Sequence, residues 1–136
     1  MRIFVDAGPL RALVTPKDQW REKTLELMRI IPKQNGILIT SDYVLDEAFT
    51  GLMSDIRAGY KRVIEFNKLA FNKNIFSIEW INQVRFFQSK LLFLKVSKDK
   101  FWSFTDCTSY VVMKEMKIKT VFTFDEHFKE MGFTML

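Results

Sequence analysis

Residues 103–133 read SFTDCTSYVVMKEMKIKTVFTFDEHFKEMGF, and the order of signals in this stretch decides the fold. Ser103-Phe104-Thr105-Asp106 has the spacing of a capping box, so a helix is predicted from about Thr105 to Lys117. TVFTF (Thr120 to Phe124) follows as an apolar, β-rich run, and Asp125 comes directly after it. Gly132 and Phe133 then lead into FTML, a weaker fifth run. A helix feeding a short apolar strand is half of a crossover unit, and such units build parallel sheets.

Working outward, three more β-rich runs share this character: RIFV (Arg2 to Val5), ILIT (Ile37 to Thr40) and IFSI (Ile75 to Ile78). Helix-like stretches separate them, and their lack of polar alternation fits strands covered on both faces. The expected fold is therefore a three-layer α/β/α domain with a mainly parallel, about five-stranded central sheet.

Thr15-Pro16-Lys17-Asp18 predicts the start of the first long helix, whose buried face is Trp20, Thr24, Leu27, Met28 and Ile31. Ser41 to Ile56 is a second, with Val44, Leu45, Ala48, Leu52 and Ile56 in register and Gly59 as its stop. A third runs from about Tyr60 to Phe71. Trp80, Val84, Phe87, Leu91 and Leu94 mark the inner face of another, and KVSKDKFWSF after it is expected to be a loop.

The 136 residues, 48% of them hydrophobic, suffice for one domain with a genuine core, and no repeat or linker divides residues 1–136. No apolar run approaches the length needed to cross a bilayer, and the N-terminus lacks a signal-peptide pattern, so a soluble, cytoplasmic protein without membrane association is expected. A single cysteine, Cys107, excludes an internal disulfide and a cysteine-type zinc site. The net charge of +5 suits a polyanionic partner without specifying one.

In parallel α/β sheets ligands bind beyond the carboxyl ends of the strands. Asp6, after RIFV, and Asp125, after TVFTF, both fall there, although either also reads as a turn or cap residue. Asp106 reads first as a helix cap. Glu47 lies away from the apolar stripe of its helix and by periodicity is a solvated surface acid, no different from Asp42 or Asp46.

Three separated motifs together resemble the PIN-domain nucleases, most closely the VapC-type toxin ribonucleases of toxin-antitoxin pairs. IFVDAGPLRAL is similar to the family's first strand and acid, ITSDYVLDEAF to its second strand and helix with the second acid, and FTDCTSYVVMKEMKIKTVFTFDEHFKEMGF to its closing region. The resemblance covers essentially the whole chain. It implies that Asp6, Glu47, Asp106 and Asp125 are the catalytic acids, with Asp6, Asp106 and Asp125 as metal ligands and Thr123 and Thr105, or Ser103, as supporting groups. Gly8 departs from the pattern, standing where Asn is frequent.

Clustered carboxylates repel one another and are best explained by divalent cations, and an oxygen donor set favours Mg²⁺ or Mn²⁺ over zinc. The implied activity is hydrolysis of RNA phosphodiester bonds, with an antitoxin and a second copy of the chain as partners. Lys98, Lys100, Trp102 and His127 are candidate substrate contacts, combining charge with aromatic faces. A PIN-like RNA-binding scaffold without catalysis is the alternative. Receiver-type signalling domains share the strand and helix order, but here Ala7 and Gly8 follow Asp6 and the chain ends in FTML. A purely structural α/β subunit, with its 14 phenylalanines divided between core and interface, is a further reading.

Overall fold

The computed structural model describes residues 1–136. Five strands form one sheet in the order β3-β2-β1-β4-β5, with every neighbouring pair parallel. They are β1 (Arg2–Val5), β2 (Ile37–Ser41), β3 (Phe76–Glu79), β4 (Thr120–Phe122) and β5 (Thr134–Met135). Seven helices connect and cover them: α1 (Ala7–Val14), α2 (Arg21–Lys33), α3 (Asp42–Ser54), α4 (Gly59–Ala70), α5 (Gln83–Val96), α6 (Phe104–Glu115) and α7 (His127–Glu130). This is the predicted three-layer architecture.

From β1 the chain steps outward to β2 and β3, then returns across the sheet to β4 and β5. The direction of winding therefore reverses between β1 and β4, which opens a crevice beyond their carboxyl ends, where α/β sheets bind ligands. The register pairs Ile3 with Thr120, Phe4 with Val121 and Val5 with Phe122. The Asp6 amide extends this ladder, donating to the Phe122 carbonyl at 3.0 Å, so Asp6 arrives at the crevice on a fixed backbone.

The central strands are buried on both faces, as their unbroken apolar runs require. Ile3, Phe4, Val5, Val121 and Phe122 are completely excluded from solvent. Helix faces close the core from both sides, with Leu10 and Val14 of α1, Val44 and Leu52 of α3, and Val112 and Met113 of α6. Cys107 packs among them, and burial pushes its thiol up to about 11.

Several sequence expectations are corrected. Thr15 does not cap a helix start, because α1 has only just ended there: Thr15 follows its last residue and returns its hydroxyl to the Arg11 carbonyl. The next helix begins at Arg21, after a turn in which the Asp18 carboxylate accepts from the Trp20 amide at 2.8 Å. Trp20 thus precedes the helix whose buried face it was expected to join, while Thr24 and Ile31 are buried as predicted.

Gly59 does not stop α3. That helix ends at Ser54, and Gly59, at φ +71°, opens α4. β4 is shorter than TVFTF, so Thr123 and Phe124 lie beyond its end.

The largest correction concerns α5. Val84, Phe87, Leu91 and Leu94 fall on one helical stripe, but that stripe faces solvent, with Leu91 66% and Leu94 61% exposed, and Trp80 precedes the helix. Periodicity identifies an apolar face without saying what covers it. The inward face of α5 instead carries buried Ser89 with partly buried Leu92, Phe93 and Val96 packed on the core, and Arg85 ties the helix to α6 and β3 through Glu115 and Glu79. The phenylalanines divide accordingly: Phe4, Phe66, Phe122 and Phe128 are fully buried, whereas Phe87 and Phe101 are exposed.

Candidate active site

Four elements deliver the four predicted acids to one cleft at the carboxyl edge of β1 and β4. Asp6 directly follows β1, Glu47 sits in the second turn of α3, Asp106 in the first turn of α6, and Asp125 lies beyond β4; all four line the same cavity. The sequence places them 41, 59 and 19 residues apart, and only the parallel topology brings them together.

Asp6 occupies the position before α1, but its side chain makes no capping hydrogen bond. The Thr123 hydroxyl donates to its Oδ2 at 2.8 Å, and the same Thr123 oxygen accepts from the Asp125 amide at 3.0 Å. One threonine therefore ties the first acid to the fourth. Burial raises the Asp6 pKa to about 6, opposed by the Thr123 hydroxyl and the Ala7 amide and reinforced by the charges of Asp106 and Glu47.

Asp106 caps its helix and also lines the cleft. Ser103 Oγ accepts from the Asp106 amide at 3.0 Å and Asp106 Oδ2 accepts from the Ser103 amide at 3.0 Å, a complete capping box. Capping fixes the rotamer, which aims the carboxylate at the cleft. The same Oδ2 lies 3.3 Å from His127 Nδ1, leaving Oδ1 the freer atom.

Glu47 is on the solvent side of α3, as its helical wheel implied, and that side forms a wall of the cleft. Its pKa is raised by partial burial first and by Asp106 next, with the Arg11 guanidinium opposing. Asp42, indistinguishable from Glu47 by periodicity, points elsewhere and accepts from the Ile81 amide.

Asp125 accepts from the His127 amide at 2.9 Å, which folds the turn into α7 and brings the imidazole back over the acids. His127 Nδ1 lies 3.4 Å from Asp125 Oδ1. Ligating atoms of Asp106, Asp125 and His127 lie within 4.8 Å of one another, close enough for one divalent cation to reach all three. Mutual repulsion among Asp6, Glu47 and Asp106 raises the cost of ionising them together, which a bound cation would relieve, so the residues fit a metal.

The candidate substrate contacts divide. His127 belongs to the cleft. Lys98 and Lys100 do not line it, and Lys100 instead approaches Glu130 at 3.8 Å and lies over the Trp102 ring. Trp102 is 7% exposed and packs on Tyr110, so its face is not free to stack on a base; its exposed neighbour is Phe101. Thr105 offers only its carbonyl, to Thr108, and it is Ser103 that supports Asp106.

Arg11, Asp18, Trp20, Phe124 and Glu126 line the cleft and escaped the sequence reading of the site. Trp20 stacks on Phe124 with ring centroids 5.0 Å apart, forming an aromatic wall beside the acids. Gly8 permits this packing, since a Cβ there would lie 3.1 Å from the Phe124 ring. Arg11 projects from α1 into the same cleft. Its one trace in the sequence is Gly51, a glycine inside a helix one turn beyond Glu47.

The PIN-domain family model matches residues 3–134. The chain is similar to the crystal structure of the sarcin-ricin-loop-cleaving toxin VapC20 of Mycobacterium tuberculosis, with a TM-score of 0.86 and 23% identity over 97% of this chain and 96% of that one. It also resembles VapBC2 of Rickettsia felis, bound to a DNA fragment from their promoter, with a TM-score of 0.69 and 14% identity over 100% and 98% of the two chains. FitAcB of Neisseria gonorrhoeae matches with a TM-score of 0.66 and 14% identity over 100% and 96%. No curated protein sequence matches significantly. With nearly every residue inside the family match and the fold shared, the chain belongs to the PIN-domain family.

Proposed function

We propose that this protein is a divalent-metal-dependent ribonuclease that hydrolyses RNA phosphodiester bonds, acting as the toxin of a toxin-antitoxin pair. The observation that carries the reading is the convergence of Asp6, Glu47, Asp106 and Asp125 on one cleft at the winding reversal of the sheet, where burial pushes Asp6 up to about 6.

Asp6, Asp106 and Asp125 would hold the ion, Mg²⁺ or Mn²⁺ by their oxygen donors; the ligating atoms of Asp106 and Asp125 cluster with those of His127, and Asp6 lines the same cleft. When bound, such an ion lowers the pKa of a water and neutralises charge on the phosphodiester. The chain's own residues supply the geometry. Ser103 and Thr123 fix Asp106 and Asp6, Glu47 faces the substrate side, and the Trp20–Phe124 pair offers an aromatic surface for an RNA base.

A protein partner is supported by the solvent-facing apolar stripe of α5, an exposed apolar face of the kind that marks interaction sites. VapBC2 and FitAcB are the similar structures that motivate an antitoxin, and a second copy of this chain is the other candidate partner. No helix is long and apolar enough to cross a membrane.

The test is cleavage of a mixed RNA pool, and of a hairpin carrying the sarcin-ricin loop that the similar VapC20 cuts, by purified protein with Mg²⁺, Mn²⁺ or chelator. Metal-dependent cutting that Asp106→Asn abolishes is the expected result. Inactivity of the folded, partner-free wild type on every RNA would sink the reading in favour of a binding scaffold.

A further inference from the structure

Arg11 lies on the same side of α1 as Ala7 and Gly8, one turn earlier, and all three line the acid cleft. Its side chain crosses to α3 directly over Gly51. A Cβ built on Gly51 would lie 2.6 Å from an Arg11 guanidinium nitrogen and 2.8 Å from Arg11 Cδ. Glu47 precedes Gly51 by one turn, so the guanidinium runs along the same face of α3 that presents the acid. A helix interior disfavours glycine, and here the close approach of Arg11 accounts for it.

The guanidinium is near carboxylates without being paired to one. It influences Glu47 and Asp55 electrostatically, yet none of its nitrogens comes within 4.0 Å of an acid, and its side chain makes no hydrogen bond within the protein. A counter-ion for Glu47 would dock on it in the two-pronged geometry guanidinium and carboxylate favour. Asp55 already has Arg57. Arg11 thus presents a rigid fork of donors to a cleft whose other ionisable side chains are acids and one histidine.

We propose that Arg11 binds a phosphate of the RNA backbone at the α1–α3 edge of the cleft, and that Gly51 is the positioning residue that lets its side chain lie there. The inference rests on the ribonuclease reading and adds a substrate contact to it. The phosphate needs this help because the acids around it repel a polyanion, and the fork of Arg matches phosphate oxygens better than a lysine would.

The test measures binding of a single-stranded RNA oligonucleotide by fluorescence anisotropy in Mg²⁺, using the full chain as Asp106→Asn so that the RNA stays intact. Adding Arg11→Ala is expected to raise Kd by about tenfold, and Arg11→Lys by less. The slope of log Kd against log salt should fall by about 0.7, one phosphate contact on a single strand. Gly51→Ala should weaken binding alone and do nothing further beside Arg11→Ala, a coupling that general damage to α3 would not produce.

Unchanged Kd and salt slope in a folded Arg11→Ala protein whose parent cleaves RNA would overturn the assignment and leave the nuclease standing. Unchanged Kd with the acidic limb of the pH–rate profile moved upward would also overturn it, because Arg11 would then act only on Glu47. Failure of the wild type to bind or cleave any RNA would remove both the ribonuclease reading and this contact.

Discussion

The Thr123 hydroxyl donates to Asp6 Oδ2 at 2.8 Å across the gap between β1 and β4, at the register position just beyond the last paired residues. A buried carboxylate with one strong donor is sensitive to that donor. Thr123→Val keeps the shape and removes the hydroxyl, so the Asp6 pKa should rise above about 6. The expected outcome is a stability loss of about 1–3 kcal/mol and an acidic limb of the pH–rate profile displaced to higher pH. An unmoved profile would show that this bond does not govern the site.

Asp6 also makes a prediction about pH and stability. Its folded-state value of about 6 lies above the ordinary 3.8, so between those values the folded chain holds a proton that the unfolded chain has released. Stability from this group is complete below about pH 4, falls as pH rises to 6, and stays reduced above it, by on the order of 3 kcal/mol. In chelator, Asp6→Asn should therefore melt several degrees above wild type at pH 8 and not at pH 4. Equal melting points at pH 8 would refute the shift.

A divalent ion held by the ionised cluster, as the proposed function requires, would offset this penalty. Wild-type melting temperature at pH 8 should rise with the logarithm of Mg²⁺ or Mn²⁺ concentration above the Kd, and Asp106→Asn should lose most of the rise. Asn can still accept from the Ser103 amide, so the cap of α6 survives. Cleavage should fall by about 100-fold or more for a lost ligand. A full metal response in the variant would exclude Asp106 as a ligand.

Ser103→Ala separates aiming from capping. It removes the oxygen that accepts from the Asp106 amide, at a cost of about 1 kcal/mol, and loosens the rotamer that points Asp106 into the cleft. Restoring the cap with Ser103→Thr should recover both stability and activity. Recovery of stability alone would show that the capping geometry has no bearing on the reaction.

Trp20 is 41% exposed, so Trp20→Ala should change stability little. If the Trp20–Phe124 wall stacks on a base, RNA binding should weaken by about 1–3 kcal/mol, seen in KM more than in kcat. An unaltered KM would leave the wall as packing only.

Much of this molecule was legible in the sequence because its determinants are local. Apolar runs such as RIFV can be buried only as central strands, and Ser103 with Asp106 announces a helix start within four residues. The same locality explains the errors. Thr15-Pro16 satisfies a capping pattern, yet α1 had to end there first, and the stripe Val84-Phe87-Leu91-Leu94 has core periodicity while facing solvent. A moment along one helix records which face is apolar and carries no information about its neighbours.

The sequence by itself determined the strands, their parallel pairing and, through the family's ordered motifs, which four acids to watch. Only the tertiary structure decided that those acids share one cleft, that Trp102 is buried while Trp20 lines the site, and that Arg11 reaches it over Gly51. The reason is physical. A side chain's chemistry is local, but its burial, its charge environment and its reach depend on residues dozens of positions away, brought near by the winding of the sheet.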